Sequence, residues 1–245
     1  LGYIAGVRFT KLGINDKWYT TPRGGLVYSF TKNSSVKVLF GEAFRSPGPQ
    51  EQYYSVAGII YGPDLFGSQL EPERIRTIEA AIDTTLFKRF KLLANVFTTT
   101  VFDIIGRRDS TAEEYAVLQN NAKVYGNLGD QKLKGFEIEL KGFPKVAEIS
   151  DLFVNMSYKD GEEDNGDDIP YLAKLTANAG ITFKLFKKLD LSLMYQFIGK
   201  REGSLTNGTA VSVDSYSLLN VSAGLNLDKQ FKLGLNVTNL TDAEY

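Results

Sequence analysis

Apolar and polar residues alternate one by one through almost the whole chain, and this period of two constrains the fold more than any other feature. In segment 175–185 every odd position is apolar, and the even positions carry polar residues or glycine. Segment 78–86 shows the same period, with apolar residues or threonine at the even positions. Because successive side chains of a β-strand point to opposite faces, the period predicts strands with one apolar and one polar face. The chain is therefore predicted to be all-β.

About eleven such strands are predicted in the 245 residues. Several exceed the common strand length of about 5–6 residues, and such lengths suit strands that cross a bilayer at a tilt. The seven prolines are expected in connections or at strand starts, because a proline inside a strand removes a ladder hydrogen bond. The predicted strands are 1–12, 22–31, 35–45, 73–87, 89–105, 129–143, 150–160, 170–185, 188–202, 213–227 and 230–240.

The connections between these strands fall into two alternating classes. Short turns on one rim and long loops on the other are typical of an antiparallel transmembrane β-barrel, with the short turns toward the periplasm and the long loops outside the cell. Several short turns mix Phe with Lys, which suits a membrane–water interface, although solvated hairpins would also contain these residues. The short connections are 32–34, 88–89, 143–149, 186–188 and 228–230, and the long ones are 13–21, 46–72, 106–127, 160–169 and 202–212.

Composition excludes several classes of function. The chain has no Cys and no His, which excludes zinc fingers, disulfide scaffolds, thiol nucleophiles and His-based catalysis. It also lacks the Gly-x-Ser-x-Gly and phosphate-binding glycine motifs. A net charge of −1 gives no reason to expect a nucleic-acid partner. The sequence therefore predicts a protein that is not an enzyme and needs no cofactor.

Ordered stretches along the chain resemble the TonB-dependent receptors, the energised nutrient transporters of Gram-negative outer membranes. Residues 43–47, Ala-Phe-Arg-Ser-Pro, resemble the family's Ala-Phe-Arg-x-Pro stretch, and residues 70–73, Leu-Glu-Pro-Glu, resemble its Leu-x-Pro-Glu stretch. The resemblance continues through a hairpin at 94–105, a Gly-Phe-Glu-Ile-Glu strand at 135–139, a strand start at 169–170 and the stretch 237–245. Their order and spacing match the family over essentially the whole chain.

This resemblance implies a barrel of about 22 strands with a plugged lumen. Residues 1–245 would be a part of that barrel, its C-terminal half, with the plug domain and the final strand absent. The implied function is TonB-energised uptake of a metal chelate such as a ferric siderophore, or of a similar nutrient, in the bacterial outer membrane. Implied partners are outer-membrane lipid, the receptor's own plug domain, the TonB system and a small-molecule ligand. A passive porin-like channel and a soluble β-sandwich binding module remain open alternatives.

Several residues are candidates for contact with the plug or the ligand. The polar parity of the strands would turn six charged residues toward the plug, although ordinary lumen ion pairs explain them as well. Loop 46–72 is long and aromatic, and aromatic side chains over a barrel mouth suit an organic ligand, although packing of the loop against itself explains them equally well. Two arginines that begin the next loop could meet an anionic chelate, although a solvated basic pair is the commoner explanation. The plug-facing candidates are Arg45, Glu73, Glu79, Asp83, Glu137 and Glu139, and the ligand candidates are Tyr53, Tyr54, Tyr61, Phe66, Arg107 and Arg108.

The acidic loop 160–168 is a weak candidate for a metal site. Hard carboxylates with glycines for turning could hold Ca²⁺, but their spacing does not match the EF-hand pattern, and a solvated loop tip is the favoured interpretation. The candidate ligands are Asp160, Glu162, Asp164 and Asp168.

Overall fold

The computed structural model describes residues 1–56, 59–118, 122–144, 148–204, 209–228 and 230–244. Within these ranges, no helix is long and apolar enough to cross a membrane. The helices are α1 (Pro49–Tyr53), a 3-10 helix (Pro63–Phe66) and α2 (Ala112–Leu118). The strands are β1 (Gly2–Lys11), β2 (Trp18–Thr31), β3 (Ser34–Arg45), β4 (Ser55–Val56), β5 (Ile60–Tyr61), β6 (Glu73–Leu86), β7 (Phe90–Phe102), β8 (Ile105–Asp109), β9 (Lys123–Asn127), β10 (Gln131–Gly142), β11 (Ile149–Glu163), β12 (Leu175–Leu185), β13 (Leu189–Ile198), β14 (Arg201–Ser204), β15 (Ala210–Val213), β16 (Tyr216–Asn226) and β17 (Lys232–Val237).

Eleven long strands form one sheet in the order β1-β2-β3-β6-β7-β10-β11-β12-β13-β16-β17. Neighbours are antiparallel throughout, and each long strand pairs with the long strand that follows it in the chain. In the described part of the chain β1 and β17 are the two edges and do not pair with each other. The prediction of an eleven-stranded antiparallel sheet that does not close on itself is confirmed.

The register places the apolar residues of neighbouring strands side by side. One row across five strands is entirely apolar or aromatic, and the ring of Phe136 stacks on that of Tyr158 at 5.7 Å. The adjacent rows on the other face are rich in charged and amide side chains. The apolar row is Val38, Ala80, Val96, Phe136 and Tyr158, and a polar row is Lys37, Ala81, Asn95, Glu137 and Ser157. We call these two sides of the sheet the apolar face and the polar face.

The apolar face has no protein packed against it among the described residues. Large side chains on this face are open, with Val96 56% and Ile78 48% exposed. None of the residues expected to face lipid, at even positions of 78–86 and odd positions of 175–185, is buried. The buried hydrophobic residues lie in the long connections instead; they are Leu70, Ile105, Ala122 and Val124. The sandwich alternative required two apolar faces packed together, and the described residues form no such core.

Several strand limits differ from the sequence-based expectation. Pro22 lies inside β2 opposite Val7, so the expectation that every proline avoids a strand interior is wrong. It is tolerated because pairing with β3 begins only at Arg23, which leaves β2 with a single neighbour there. The ladder of β1 and β2 extends to the pair Lys11 and Trp18, and that of β10 and β11 extends to Gln131 and Glu163. Connections 13–21 and 160–169 are therefore shorter than expected.

Other predicted segments are divided or extend outside the described residues. The predicted strand 89–105 is β7 followed by the separate strand β8, and 188–202 is β13 followed by β14. Strand β12 begins at Leu175, so the predicted start at 169–170 is part of the preceding connection. Parts of the predicted connections 46–72, 106–127, 143–149, 202–212 and 228–230, and the last residue of stretch 237–245, lie outside the described residues.

Candidate functional site

The two longest connections fold together into one small unit at one end of the sheet. Strands β4, β5, β9 and β8 form a four-stranded sheet in that order, and β5 pairs with β9 in parallel through Ile60 and Lys123. This pairing joins a strand of connection 46–72 to a strand of connection 106–127. We call this unit, formed by the described residues of 46–72 and 105–127, the loop cap. Its buried side chains include Leu70, Ile105 and Val124.

Gln52 is the polar centre of the loop cap. Its side chain is fully buried. Its Nε2 donates to the carbonyl oxygen of Ser68 at 2.8 Å, and its Oε1 accepts from the amide of Leu70 at 2.9 Å. Gly62 packs against the same segment so closely that a Cβ there would lie 2.3 Å from the Gln52 carbonyl oxygen. No sequence pattern pointed to Gln52, because its role depends on contacts 16 to 18 residues away.

Arg45 joins the sheet to the loop cap. Its Nε donates to Glu73 Oε2 at 2.7 Å, across the ladder of β3 and β6, and its Nη1 donates to Glu51 Oε2 at 2.9 Å. Glu51 also accepts from the amide of Gly48 and so caps α1. The other oxygen of Glu73 accepts from the amide of Ile105 at 2.7 Å. Arg45 and Glu73, two of the plug-facing candidates, are thus ion-paired at the base of the cap.

The Leu-Glu-Pro-Glu stretch, residues 70–73, has two buried and two ion-paired residues at this base. Leu70 and Pro72 are buried, and Glu73 pairs with Arg45. Glu71 forms an ion pair with Lys17 and accepts from the hydroxyl of Tyr19 at 3.1 Å. The hydrogen bond from Lys17 holds the pKa of the Glu71 carboxyl below its ordinary value. The stretch therefore connects the hairpin of β1 and β2 to the loop cap.

The two candidate arginines of β8 have different surroundings. Arg108 donates to both oxygens of Glu114, at 2.7 and 2.8 Å, so its guanidinium is already engaged by a carboxylate. Glu114 also accepts from the amide of Thr111 at the start of α2, and these bonds, that from Arg108 above all, lower its pKa to about 2. Arg107 is exposed and forms no ion pair with any residue that the structure describes. Of the two, Arg107 is the guanidinium open to an anion.

Exposed aromatic and aliphatic side chains cover part of the loop cap. Tyr53 is 52% exposed and Tyr54 48%, whereas Tyr61 and Phe66 are half-buried. The structure adds Tyr115 of α2, which is 48% exposed and which no sequence pattern had indicated. Aromatic side chains provide apolar contact area with a polar tip, so this surface can contact the rings of an organic ligand.

The remaining plug-facing candidates lie on the polar face among partners of their own. Asp83 pairs with Lys91 at 3.3 Å and Lys37 at 3.8 Å. Glu79 accepts from the side-chain Nδ2 of Asn95 at 3.3 Å. Glu137 accepts from the hydroxyl of Ser157 and pairs with Lys159, and Glu139 pairs with Lys141. Glu79, Glu137 and Glu139 line one cavity of about 450 Å³ with Asn95 and Asn155. The structure therefore brings these three carboxylates together.

The acidic loop does not assemble a metal site among the described residues. Most of its candidate carboxylates pair with a lysine or with a backbone amide, and no group of three acidic side chains in the described part of the chain is close enough to hold a metal ion. Asp160 and Asp168 pair with Lys174, each at 3.0 Å, and Asp164 accepts from the amide of Asp130. Glu162 is exposed. The structure gives the calcium hypothesis no preformed set of ligands.

Comparison with known proteins identifies the family of this chain. The family model for the β-barrel of TonB-dependent receptor-like proteins matches residues 1–240. The chain therefore belongs to this family. Family membership gives no support to the porin-like alternative.

Individual relatives are distant in sequence but close in fold. The chain is 22% identical to the probable TonB-dependent siderophore receptor PiuA of Acinetobacter baumannii, over 94% of this chain and 31% of that protein. It is 24% identical to the vitamin B12 transporter BtuB of Vibrio cholerae, over 92% of this chain and 34% of that protein. The ferric enterobactin receptor PfeA of Pseudomonas aeruginosa, solved with enterobactin, superposes with a TM-score of 0.79 at 16% identity, over 98% of this chain and 38% of that chain. The chain thus spans about a third of the length of these relatives.

Proposed function

We propose that the chain is a wall segment of an outer-membrane receptor for TonB-energised uptake of a metal chelate of the siderophore type. The apolar face contacts lipid, and the polar face lines the interior and meets a plug domain. The loop cap lies on the extracellular side and contributes to ligand capture. Further strands of the same receptor pair with the edges of β1 and β17 and close the barrel.

The uncovered apolar face is the observation that carries this proposal. An eleven-stranded sheet that exposes a continuous band of Leu, Val, Ile and aromatic residues would aggregate in water, because exposed apolar area of this extent is unfavourable. A lipid environment removes that cost, since the outward band of a membrane barrel is apolar and its interior polar. Relatives named as siderophore receptors and as a vitamin B12 transporter support a chelate or a similarly large nutrient as the ligand.

The loop cap supports the assignment of ligand capture. It is the folded, water-exposed part of the chain, and it presents Tyr53, Tyr54 and Tyr115 together with Arg107. Aromatic rings and an open guanidinium suit a ligand with aromatic groups and negative charge, such as a ferric catecholate. On the polar face, Glu79, Glu137 and Glu139 act later, as contacts that a plug domain makes and breaks during transport.

The test uses the complete receptor that carries this chain, expressed in Gram-negative cells without catecholate receptors of their own. Binding of radiolabelled ferric enterobactin to whole cells is measured for the receptor and for the double variant Tyr53→Ser, Tyr54→Ser. We expect about a tenfold loss of affinity, since two stacked rings each contribute about 0.5–1.5 kcal/mol. The matched control is Gln50→Ser, an exposed position on the same helix.

Three results separate the parts of this proposal. If the tyrosine variant binds and takes up ferric enterobactin normally, the proposal that the loop cap recognises the ligand is wrong. Absence of ferric enterobactin binding by the unmodified receptor, with binding of ferric hydroxamate or cyanocobalamin instead, would overturn the catecholate assignment. Failure of every chelate to bind would overturn the receptor function itself.

A further inference from the structure

Two short turns at the same rim repeat one tetrapeptide pattern, Leu-Phe-Lys followed by Arg or Lys. The first is 86–89, between β6 and β7, and the second is 185–188, between β12 and β13. In each, the amide of the fourth residue donates to the carbonyl oxygen of the first, at 3.0 Å from Arg89 to Leu86 and at 3.1 Å from Lys188 to Leu185. The two turns are therefore the same local structure built twice.

Turn geometry does not explain the choice of residues. The two central residues of each turn are left-handed, with φ of 50° and 59° at Phe87 and Lys88, and 50° and 58° at Phe186 and Lys187. Such turns favour Asn and Gly, because a Cβ is crowded in the left-handed region. Phe and Lys therefore cost conformational energy at these positions. Their repetition indicates that the side chains have a use outside the turn.

The two phenylalanines are almost completely open to the surroundings. Phe87 is 86% exposed and Phe186 is 88% exposed. Each follows directly on the last cross-strand pair of the apolar face, Leu86 with Phe90 in one hairpin and Leu185 with Leu189 in the other. The basic residues next to them, two in each turn, are Lys88, Arg89, Lys187 and Lys188. The turns thus continue the apolar face and end it with positive charge.

We propose that these two turns are anchors that bind anionic phospholipid headgroups in the membrane leaflet at their own rim of the sheet. Phe87 and Phe186 lie at the boundary between headgroups and acyl chains, and the neighbouring cations pair with lipid phosphates. The inference rests on the proposed membrane location of the apolar face. A lipid surface fits better than a single protein partner, because two further long strands, β10 and β11, lie between the two hairpins in the sheet. A continuous surface contacts both turns at once.

The experiment places a fluorescent probe at the turn without losing its aromatic character. Phe87→Trp is introduced into the complete receptor, which is reconstituted in vesicles containing phosphatidylglycerol. Emission added by the new tryptophan, relative to the parent protein, is quenched by lipids brominated near the headgroup or near the chain end. Phe186→Trp is the second variant. Val96→Trp, on the apolar face and 56% exposed, is the control for lipid contact.

We expect the tryptophans at 87 and 186 to be quenched about twofold more by bromines near the headgroup than by those at the chain end, as an interfacial ring requires. Quenching at 96 but not at 87 or 186, by either lipid, would overturn the anchors and leave the proposed membrane location intact. Absence of quenching at all three positions would overturn that location and the inference with it.

A second arm tests the cations. Quenching of the tryptophan at position 87 should be weaker in vesicles of phosphatidylcholine alone than in vesicles that contain phosphatidylglycerol. In the Phe87→Trp protein, the added substitutions Lys88→Gln and Arg89→Gln should abolish this difference between the two vesicle compositions. If the tryptophan at position 87, with Lys88 and Arg89 unchanged, is quenched equally in both vesicle compositions, the role assigned to the charges is overturned.

Discussion

Replacing Gln52 by alanine should open the loop cap without affecting the large sheet. The substitution removes the hydrogen bond to the Ser68 carbonyl and the one from the Leu70 amide. The Leu70 amide lies inside the cap, where Leu70 is only 3% exposed, whereas Ser68 is an exposed residue. No hydrogen-bond partner replaces the lost side chain unless water enters or the segment rearranges.

The magnitude follows from the desolvation of the Leu70 amide and from the space that the removed side chain leaves. A buried amide without a partner costs about 1–3 kcal/mol, and truncation of a fully buried side chain adds a cavity cost. Together they predict a loss of about 3–4 kcal/mol in the local opening free energy of the cap. Since about 1.4 kcal/mol corresponds to a factor of ten, opening should become roughly 100 to 1000 times more frequent.

Amide hydrogen exchange of the complete receptor in detergent measures this opening at Leu70. Gln50→Ala is the matched control, because Gln50 is exposed on the same helix. Exchange in β7 and β10 should be the same in both variants, since those strands are held by the sheet ladder. A change of less than tenfold at Leu70 in Gln52→Ala would refute the reasoning that this side chain holds the cap closed.

Three further perturbations test other parts of the structure. Ile82→Arg on the apolar face should cost about 2–4 kcal/mol of folding free energy in bilayers if the site lies near the midplane, whereas Ala81→Arg on the polar face should cost much less in the same refolding titration. The pKa of Glu114 is about 2, below its ordinary 4.5, so its carboxylate stabilises α2 fully above pH 4.5 and loses this contribution, about 2–3 kcal/mol, as the pH falls toward 2. Amide hydrogen exchange in α2, corrected for intrinsic rates, should show this loss of stability at low pH. The variant Glu114→Gln should not show it. Gly62→Ala should destabilise the cap in the exchange assay, because its Cβ would lie 2.3 Å from the Gln52 carbonyl oxygen.

The eleven long strands could be predicted because their signal is local. Alternation such as that of 175–185 is present in each strand separately, and it fixes which residues share a face once neighbours pair in chain order. The same reasoning assigned Glu79, Asp83, Glu137 and Glu139 to one polar face, where the structure has them. Errors occurred in the limits of the strands. Strand β2 begins before Pro22, and this proline is tolerated because β3 does not pair with β2 there, which the sequence does not reveal.

The loop cap could not be predicted because its contacts are not local. The parallel pairing of Ile60 with Lys123 connects residues from two different connections, and no short pattern encodes it. Gln52 looked like an ordinary polar residue beside two tyrosines. The pairing of Arg108 with Glu114 was visible only as a spacing of six residues, and the structure shows that this guanidinium is already engaged by a carboxylate.

The large sheet and the loop cap treat their apolar side chains differently, and this difference explains where exposed and buried apolar residues lie. Among the described residues the large sheet leaves its apolar face open, and in the proposed membrane location lipid covers it. The loop cap instead buries Leu70, Ile105 and Val124 in a small core of its own. Arg45 and Glu73 stand at the junction of the two parts, joined to each other and to Glu51 and the Ile105 amide. An ion pair at this level is accessible to water yet held by the ladder of β3 and β6, so it can fix the cap to the sheet without placing a charge within the apolar band.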